Sequence, residues 1–573
     1  MHLLKSTLRL ETVFSDFEQS NFLKRRSPFP ALSNGTRPAP ADLYSGIEAN
    51  GKLDKRRTED LFRNIALLME AAGTSGPVYG NWGENPRIPA GYTYFAQLIA
   101  HDITINGEIR PNMEAPKVRT NVQNDALMLN TLYGSGPLVS AHCYDFKSDF
   151  KGIDARLKLG PVTHNKSTVN QPKRDICRYQ EYDDSGVKRG GRPLIADARN
   201  DNNPILSQLT ALFSHFHNIV VGYSEEQHPG SDIDTHFNFA KAVVLYVYRN
   251  IIRNDFLQKL LDPNIYHYYS RSQDPDRYLF EVDENNPVTS EFTHAAYRFG
   301  HAMVRPLYEM SERMNGEAFT LEDVLGQTSD GEPNRAPLND DWIAAWSFFF
   351  DLPDRTPAVV SQKSNLLGPL YMRALNSKLK DGVHFDNDTL AYLDLLRCVS
   401  APVLKVERLR QHILQTVPTK PDFPAASRQT IANSADIAAE IKSFADRPTR
   451  PIGSGVLPPR LTTETIDELS GNPPLGLFVL IEANSGPGQG QHLGPIGSII
   501  VAETLFRAVD DDRGLQQLEL PNSHTPQIAA SILFQQTGAG PIPQTMPDLI
   551  RWIDHHLPDE YKTLEDGSRL SFL

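Results

Sequence analysis

Apolar residues recur at every third or fourth position through several long stretches of this chain, which is the spacing of an amphipathic or buried helix. The pattern predicts helices over 58–72, 92–101, 204–223, 235–256, 290–304, 342–350, 434–444, 475–483, 494–509 and 546–556. Pro89 and Gly91 punctuate the start of the stretch YTYFAQLIAH. Residues 110–195, rich in Asn, Gly, Asp and Lys, predict long surface loops, and 416–475 predict Pro-rich loops around one helix. No internal repeat emerges. The expected fold is mainly α: one large helical domain over 86–573 with long irregular loops and few short strands. A polar arm over 1–85, punctuated by Pro28, Pro30, Pro38 and Pro40, wraps it.

Composition narrows the partners. The chain has 573 residues, 57 Lys and Arg against 70 Asp and Glu, and a net charge of −13. No block of basic residues is long enough to follow a phosphate backbone, so nucleic acid is not expected. The longest apolar runs fall far short of the roughly 18 residues that cross a bilayer. Lys5, Arg9, Glu11 and Asp16 interrupt the first segment, so a secretory h-region is not expected and the cytoplasm is the expected location. Cys143, Cys177 and Cys398 have no CxxC spacing and read as unpaired thiols. Oligomeric state leaves no mark, since heptads are absent.

Seventeen histidines invite metal chemistry, yet neither HExxH nor a Cys/His framework is present. His215 and His217 are two apart on a helix and point in directions about 200° apart. The glycines of NSGPGQGQHLG miss the dinucleotide fingerprint at Leu493. More informative is FAQLIAHD, where Gln97 and His101 are four apart and share one helical face. Taken singly, an amide and an imidazole there satisfy each other in a core. In EFTHAAYRFGHAMVRP, Ser290 is the expected cap and Pro306 the expected stop, and Gly300 beside His301 lets a flat, bulky group approach. In GRPLIADARNDNNPILSQL, Arg199 sits in a polar turn before a long apolar helix, where a solvated or ion-paired arginine is the ordinary outcome.

Together, IPAGYTYFAQLIAHDIT, RPLIADARNDNN, AYRFGHAMVRP and HLGPIGSIIVAE, spread over 88–503, resemble the animal-type haem peroxidases of the peroxidase/cyclooxygenase superfamily, and most closely their bacterial members. The resemblance implies a helical domain around a b-type haem. It matches His101 to the distal histidine, Gln97 to the distal glutamine, Arg199 to the distal arginine and His301 to the proximal iron ligand. The implied chemistry is peroxide cleavage, with His101 as general base and then acid and Arg199 stabilising developing negative charge. The family places an Asn against the proximal histidine. Here the stretch TLAYLDLLRC puts Asp394 in that position with Arg397 behind it, and Arg298 completes the expected cofactor-binding set. A carboxylate there makes His301 more imidazolate-like.

Departures from the family pattern carry expectations of their own. Ala100 and Asn202 stand where members with covalent haem have ester-forming acids, and Asn203 stands where one mammalian member has a sulfonium-forming methionine, so the expected haem is non-covalent. The family's calcium site falls on Asp102, Asn124 and Asn130, and Met128 there counts against it because hard cations prefer oxygen. Cyclooxygenase-type members carry a radical-forming Tyr three residues before the proximal His, and that position is Arg298. The resemblance therefore implies a peroxidase using hydrogen peroxide on a small organic reductant or halide. Alternatives are a specialised haem oxidase or oxygenase of a biosynthetic pathway and a non-catalytic haem-binding protein.

Overall fold

Helices build or support the site: α1 (Lys55–Leu68), α2 (Gly91–Ile103), α3 (Pro204–Gln227), α4 (Ile233–Ile251), α5 (Ser290–His294), α6 (Leu390–Ser400), α7 (Leu475–Ser485), α8 (Pro495–Asp510) and α9 (Met546–His556). The computed structural model describes residues 48–49, 52–53, 55–71, 83–104, 127–147, 152–271, 274–282, 288–329, 336–352, 359–377, 389–401, 403–433, 435–446, 461–537 and 540–573. Most of the expected arm lies outside them. The helix expected over 58–72 is α1, whose Phe62 and Ile65 join the same buried cluster that runs through to Phe572.

Strands are short, and among the described residues they form only two-stranded ladders. β1 (Glu84–Pro89) leads into α2. β2 (Tyr144–Phe146) pairs antiparallel with β3 (Ile153–Leu157), β4 (Leu159–Gly160) with β5 (Asp175–Ile176), and β6 (Arg178–Tyr182) with β7 (Lys188–Pro193). The expectation of surface loops over 110–195 is thus corrected for its described part. Val162, Ile176, Arg174 and Arg178 are buried, and β3 and β5 pack on α3. Mixed polarity hid β2, β3 and β6, whose buried positions sit beside half-buried or exposed ones, and β4 and β5 are too short, at two buried residues each, to leave a pattern.

Two helical expectations also need correction. The stretch 290–304 is α5 followed by a 3-10 segment, Ala296–Met303, with a break at Ala295 (φ −133°, ψ −80°). Thr289 rather than Ser290 caps α5, accepting the Phe292 N–H, and the helical geometry ends before Pro306. The stretch 342–350 contains two short 3-10 turns, Asp340–Trp342 and Trp346–Phe348, instead of a helix. Apolar runs this short satisfy either geometry. In the Pro-rich region a helix does form at Ala435–Ala445, and Ala425–Ala432 and Thr463–Gly471 are helical where loops are expected. No helix among the described residues is long and apolar enough to cross a membrane.

Candidate haem site

The site starts with α2, whose first residue has to be glycine. A Cβ on Gly91 would stand 2.4 Å from the Phe350 ring and 2.7 Å from the Phe349 carbonyl, which accepts the Gly91 N–H. That contact seats α2 in the core. Almost every side chain along it is buried, including Phe95, Leu98 and Ile99. The exceptions are Gln97 and Ala100, and they are followed by Thr104 just past the end. Spacings of three and four put these on one face beside His101. A sealed helix therefore has a single half-open stripe.

His101 is fixed from a neighbouring turn. Its Nδ1 lies 2.9 Å from Oδ1 of the fully buried Asn200. With Nδ1–H donating to that carbonyl oxygen, Nε2 keeps a lone pair, and among the described residues it has no hydrogen-bond partner. Burial, followed by the charge of Arg199, pushes His101 down to about 4, against smaller opposing effects of Asn200 and Asp197. The imidazole is thus neutral near pH 7. Asn200 itself keeps an unpartnered buried amide nitrogen beside this ring.

Arg199 and Asn200 lie in the 3-10 turn Ala198–Asp201, which Asp197 caps by accepting the Arg199 N–H at 2.9 Å. The Arg199 guanidinium folds back onto the same carboxylate. Nε donates to Asp197 at 3.0–3.1 Å and Nη2 at 2.6 Å. Nη1 donates to the Thr104 carbonyl at 3.0 Å and Nη2 to the His101 carbonyl at 2.9 Å. Arg199 therefore grips the end of α2 rather than the His101 ring. Burial pushes the Asp197 carboxyl up, but hydrogen bonds and charge from Arg199 outweigh it and hold the group below its usual range.

Asn203 joins the turn to α3. Its Oδ1 accepts the Leu206 N–H as N-cap, Pro204 occupies the first helical position, and its Nδ2 donates to Gln97 Oε1 at 3.1 Å. Gln97 thus bonds to Asn203. Asp201 anchors the turn from below, accepting from the buried Arg178 at 2.6 Å, and Arg178 also forks onto Asp175. The hairpin region between α2 and α3 supplies that arginine.

His301 lies on the Ala296–Met303 segment, which packs against α2, α7 and α8. Its Nδ1 is 2.6 Å from Asp394 Oδ2 on α6, the pair that the resemblance places together. Burial alone would raise the Asp394 carboxyl, but His301, Arg298 and Arg397 hold it down at about 2. Arg397 Nη1 donates to Oδ1 at 3.3 Å and Tyr371 Oη–H to Oδ2 at 3.2 Å. Arg298 donates to the Thr293 carbonyl, with its Nε 3.9 Å from Oδ1. A small cavity with room for about one water lies behind this cluster, lined by Met69, Arg298, Tyr371, Asp394, Cys398 and Leu480.

These features fit a haem. His301 Nε2 has no hydrogen-bond partner among the described residues, and its side chain is 30% exposed in the middle of the chain. A Cβ added to Gly300 would meet nothing within 4 Å, which leaves room for a flat group next to the imidazole.

Calcium fits poorly. Both Asp102 oxygens accept backbone amides, from Leu129 at 3.0 Å and Asn130 at 3.1 Å, so Asn130 offers its N–H here. Arg249 supplies the nearby positive charge, donating to the Leu127 and Asp511 carbonyls and to Met128 Sδ. Burial first, against those amides and Arg249, raises Asp102 to about 6. No group of three His, Cys, Asp or Glu able to hold a metal occurs among the described residues, and Asn124 lies outside them.

Sequence reasoning missed Asp197, Asn200 and Tyr371. The first two flank Arg199 in DARNDNNP, a run of turn-forming and capping residues that signalled a shaped turn. Nothing in the sequence marks Tyr371.

Several known proteins are similar to this chain in sequence or in fold. Human thyroid peroxidase is 23% identical over 34% of this chain and 20% of its own length. Chorion peroxidase of Drosophila melanogaster is 25% identical over 24% of this chain and 18% of its own length. The chain thus spans a fifth or less of these relatives. Peroxidase A of Dictyostelium discoideum shares the fold, with a TM-score of 0.50 at 14% identity, over 91% of this chain and 99% of that one. So does the fatty acid alpha-dioxygenase of Arabidopsis thaliana, with a TM-score of 0.53 at 12% identity, over 98% of this chain and 88% of that one. Residues 125–391 match the family model for animal haem peroxidase.

Proposed function

We propose that this protein is a haem-dependent peroxidase that uses hydrogen peroxide to oxidise a small molecule, organic or halide. The observation that carries the reading is the anchored, neutral His101 on a helix packed against the segment of His301. Haem, when bound through His301 Nε2, supplies the redox-active iron. His101 Nε2 takes a proton from hydrogen peroxide and returns it to the departing oxygen, so one residue acts as base and then acid. Asn200 keeps the lone pair on the nitrogen that does this. Arg199 holds the end of α2, and the Nη1 proton left over from its other bonds is available to developing negative charge.

Asp394 draws the Nδ1 proton of His301, strengthening it as a ligand, while Tyr371 and Arg397 share the same carboxylate and temper that pull. Neither the Ala100 methyl nor the Asn202 amide forms an ester, so the haem is held non-covalently and comes away in acid-acetone. Calcium has no part in this reading. Oxygenase chemistry has less support: Arg298 stands three residues before His301, and Tyr297 is stacked on Phe292 and meets Phe299 edge-on in the core.

The test is stopped-flow mixing of the haem-reconstituted protein with hydrogen peroxide, followed at the Soret band. The expected result is a fast spectral change that slows by about 10² to 10⁴ in His101→Ala. A haem protein that shows no change would be a binder and not an enzyme.

A further inference from the structure

The two oxygens of Asp394 are served unevenly. Oδ2 accepts from His301 Nδ1 at 2.6 Å and from the Tyr371 hydroxyl at 3.2 Å, whereas among the described residues Oδ1 accepts from Arg397 alone, at 3.3 Å. A carboxylate has about four lone-pair sites, so Oδ1 has acceptor capacity to spare. Arg298 lies close by, yet its Nε is 3.9 Å from Oδ1, beyond hydrogen-bonding range, and already donates to the Thr293 carbonyl at 3.2 Å. Its two terminal nitrogens have no hydrogen-bond partner among the described residues. Spare donors and a spare acceptor thus stand slightly too far apart to meet.

The cavity behind this cluster has both residues on its wall and room for about one water. Tyr371, whose oxygen can still accept, and Cys398, whose thiol donates to the His294 carbonyl, complete the polar part, and Met69 and Leu477 belong to the apolar remainder. A polar gap wider than about 3.5 Å beside a space of that size suits a bridging water.

We propose that this cavity binds one ordered water, which donates to Asp394 Oδ1, accepts from Arg298, and so limits how strongly the carboxylate draws the His301 Nδ1 proton. This deepens the reading of His301 as the iron ligand and rests on it. A carboxylate shares its charge between both oxygens, so a donor on Oδ1 takes charge away from Oδ2 and weakens its pull on His301. Arg298 is a positioning residue here, reaching the carboxylate by hydrogen bonding through the water.

The first test is a crystal structure of the full haem-loaded chain, where the water should lie about 2.7–3.2 Å from both Asp394 Oδ1 and an Arg298 nitrogen. A dry cavity, or a side chain filling it, would overturn the proposal. The second test is Gly476→Ala. The added Cβ would lie 3.1 Å from Cys398 Sγ and 3.7 Å from Ala295 Cα, among the residues that line the cavity, and position 476 is in the first turn of α7, where alanine suits a helix better than glycine.

With the water displaced, Asp394 should pull harder on His301. Potentiometric titration should show the ferrous-to-ferric ratio at a fixed applied potential falling about three- to tenfold. The iron–histidine stretching band in resonance Raman spectra should move to higher frequency. A Gly476→Ala protein that has lost the water while its potential and band stay unchanged would overturn the proposal. Equal haem binding in wild type and His301→Ala would instead remove the ligand reading, with the water still in its cavity.

Discussion

His101 and His301 are built from the same parts and come out different. Each has Nδ1 tied to a side-chain oxygen and Nε2 unpartnered among the described residues. The difference lies in the anchor. Asn200 offers a neutral amide oxygen, and the ring it holds is a weak base with its lone pair available. Asp394 offers a carboxylate at 2.6 Å, and the ring it holds gains anionic character suited to binding a metal. On the proposed reading, the charge of one atom behind each imidazole separates proton transfer from ligation.

The largest break in this comparison removes a ring altogether. His301→Ala is expected to abolish the Soret band on hemin titration, whereas His101→Ala should retain haem. Equal haem affinity in the two variants would contradict the assignment of roles. Next comes the exchange of anchors. Asp394→Asn gives the His301 side a neutral acceptor, and haem affinity should fall about 10- to 100-fold while the reduction potential of the bound haem rises. Potentiometric titration of the reconstituted protein reads this directly.

A smaller effect sharpens the other side. His101 must be unprotonated to take a proton, and burial and Arg199 press it down to about 4. The rate with peroxide should therefore be flat from about pH 7 to 5 and decline below about 4, approaching tenfold per pH unit. Asn200→Asp puts a carboxylate behind the ring, favours its charged form, and should move that decline upward by about 1 to 2 pH units. A pH–rate profile left in place would show that Asn200 does not govern His101.

Tyr371→Phe should act more weakly still. It removes one of the donors that compete with His301 for Asp394, so the reduction potential should drop slightly with haem affinity nearly unchanged. The smallest effect expected is none. Chelation with EDTA should leave the melting temperature unaltered, because Asp102 is held by the Leu129 and Asn130 amides beside Arg249.

Much of the framework was legible because it depends on periodicity. The stretches that became α2, α3, α4, α7, α8 and α9 repeat their apolar residues over several turns, and the shared face of Gln97 and His101 follows from their spacing alone. Asp394 was reached through motif resemblance, and the structure sets it against His301.

What escaped depends on chain crossings. The break at Ala295 replaces a helix by a 3-10 segment without altering the apolar spacing around it. Asn200 behind His101 and Asp197 under Arg199 have meaning only once the turn before α3 lies against the end of α2. Arg178 falls in a polar stretch that reads as surface loop, and only the folded chain shows it buried between Asp175 and Asp201, pinning the turn that holds Arg199.

The half-open stripe on α2 has an evolutionary consequence. Most of that helix is locked by neighbours, so nearly any change of side-chain size there disturbs packing. Positions 100 and 104 are the half-buried places in an otherwise tight assembly. A lineage adapting to bulkier or slimmer reductants has there a place to vary with little harm to stability, and libraries randomised at those two sites should yield altered selectivity at nearly constant melting temperature.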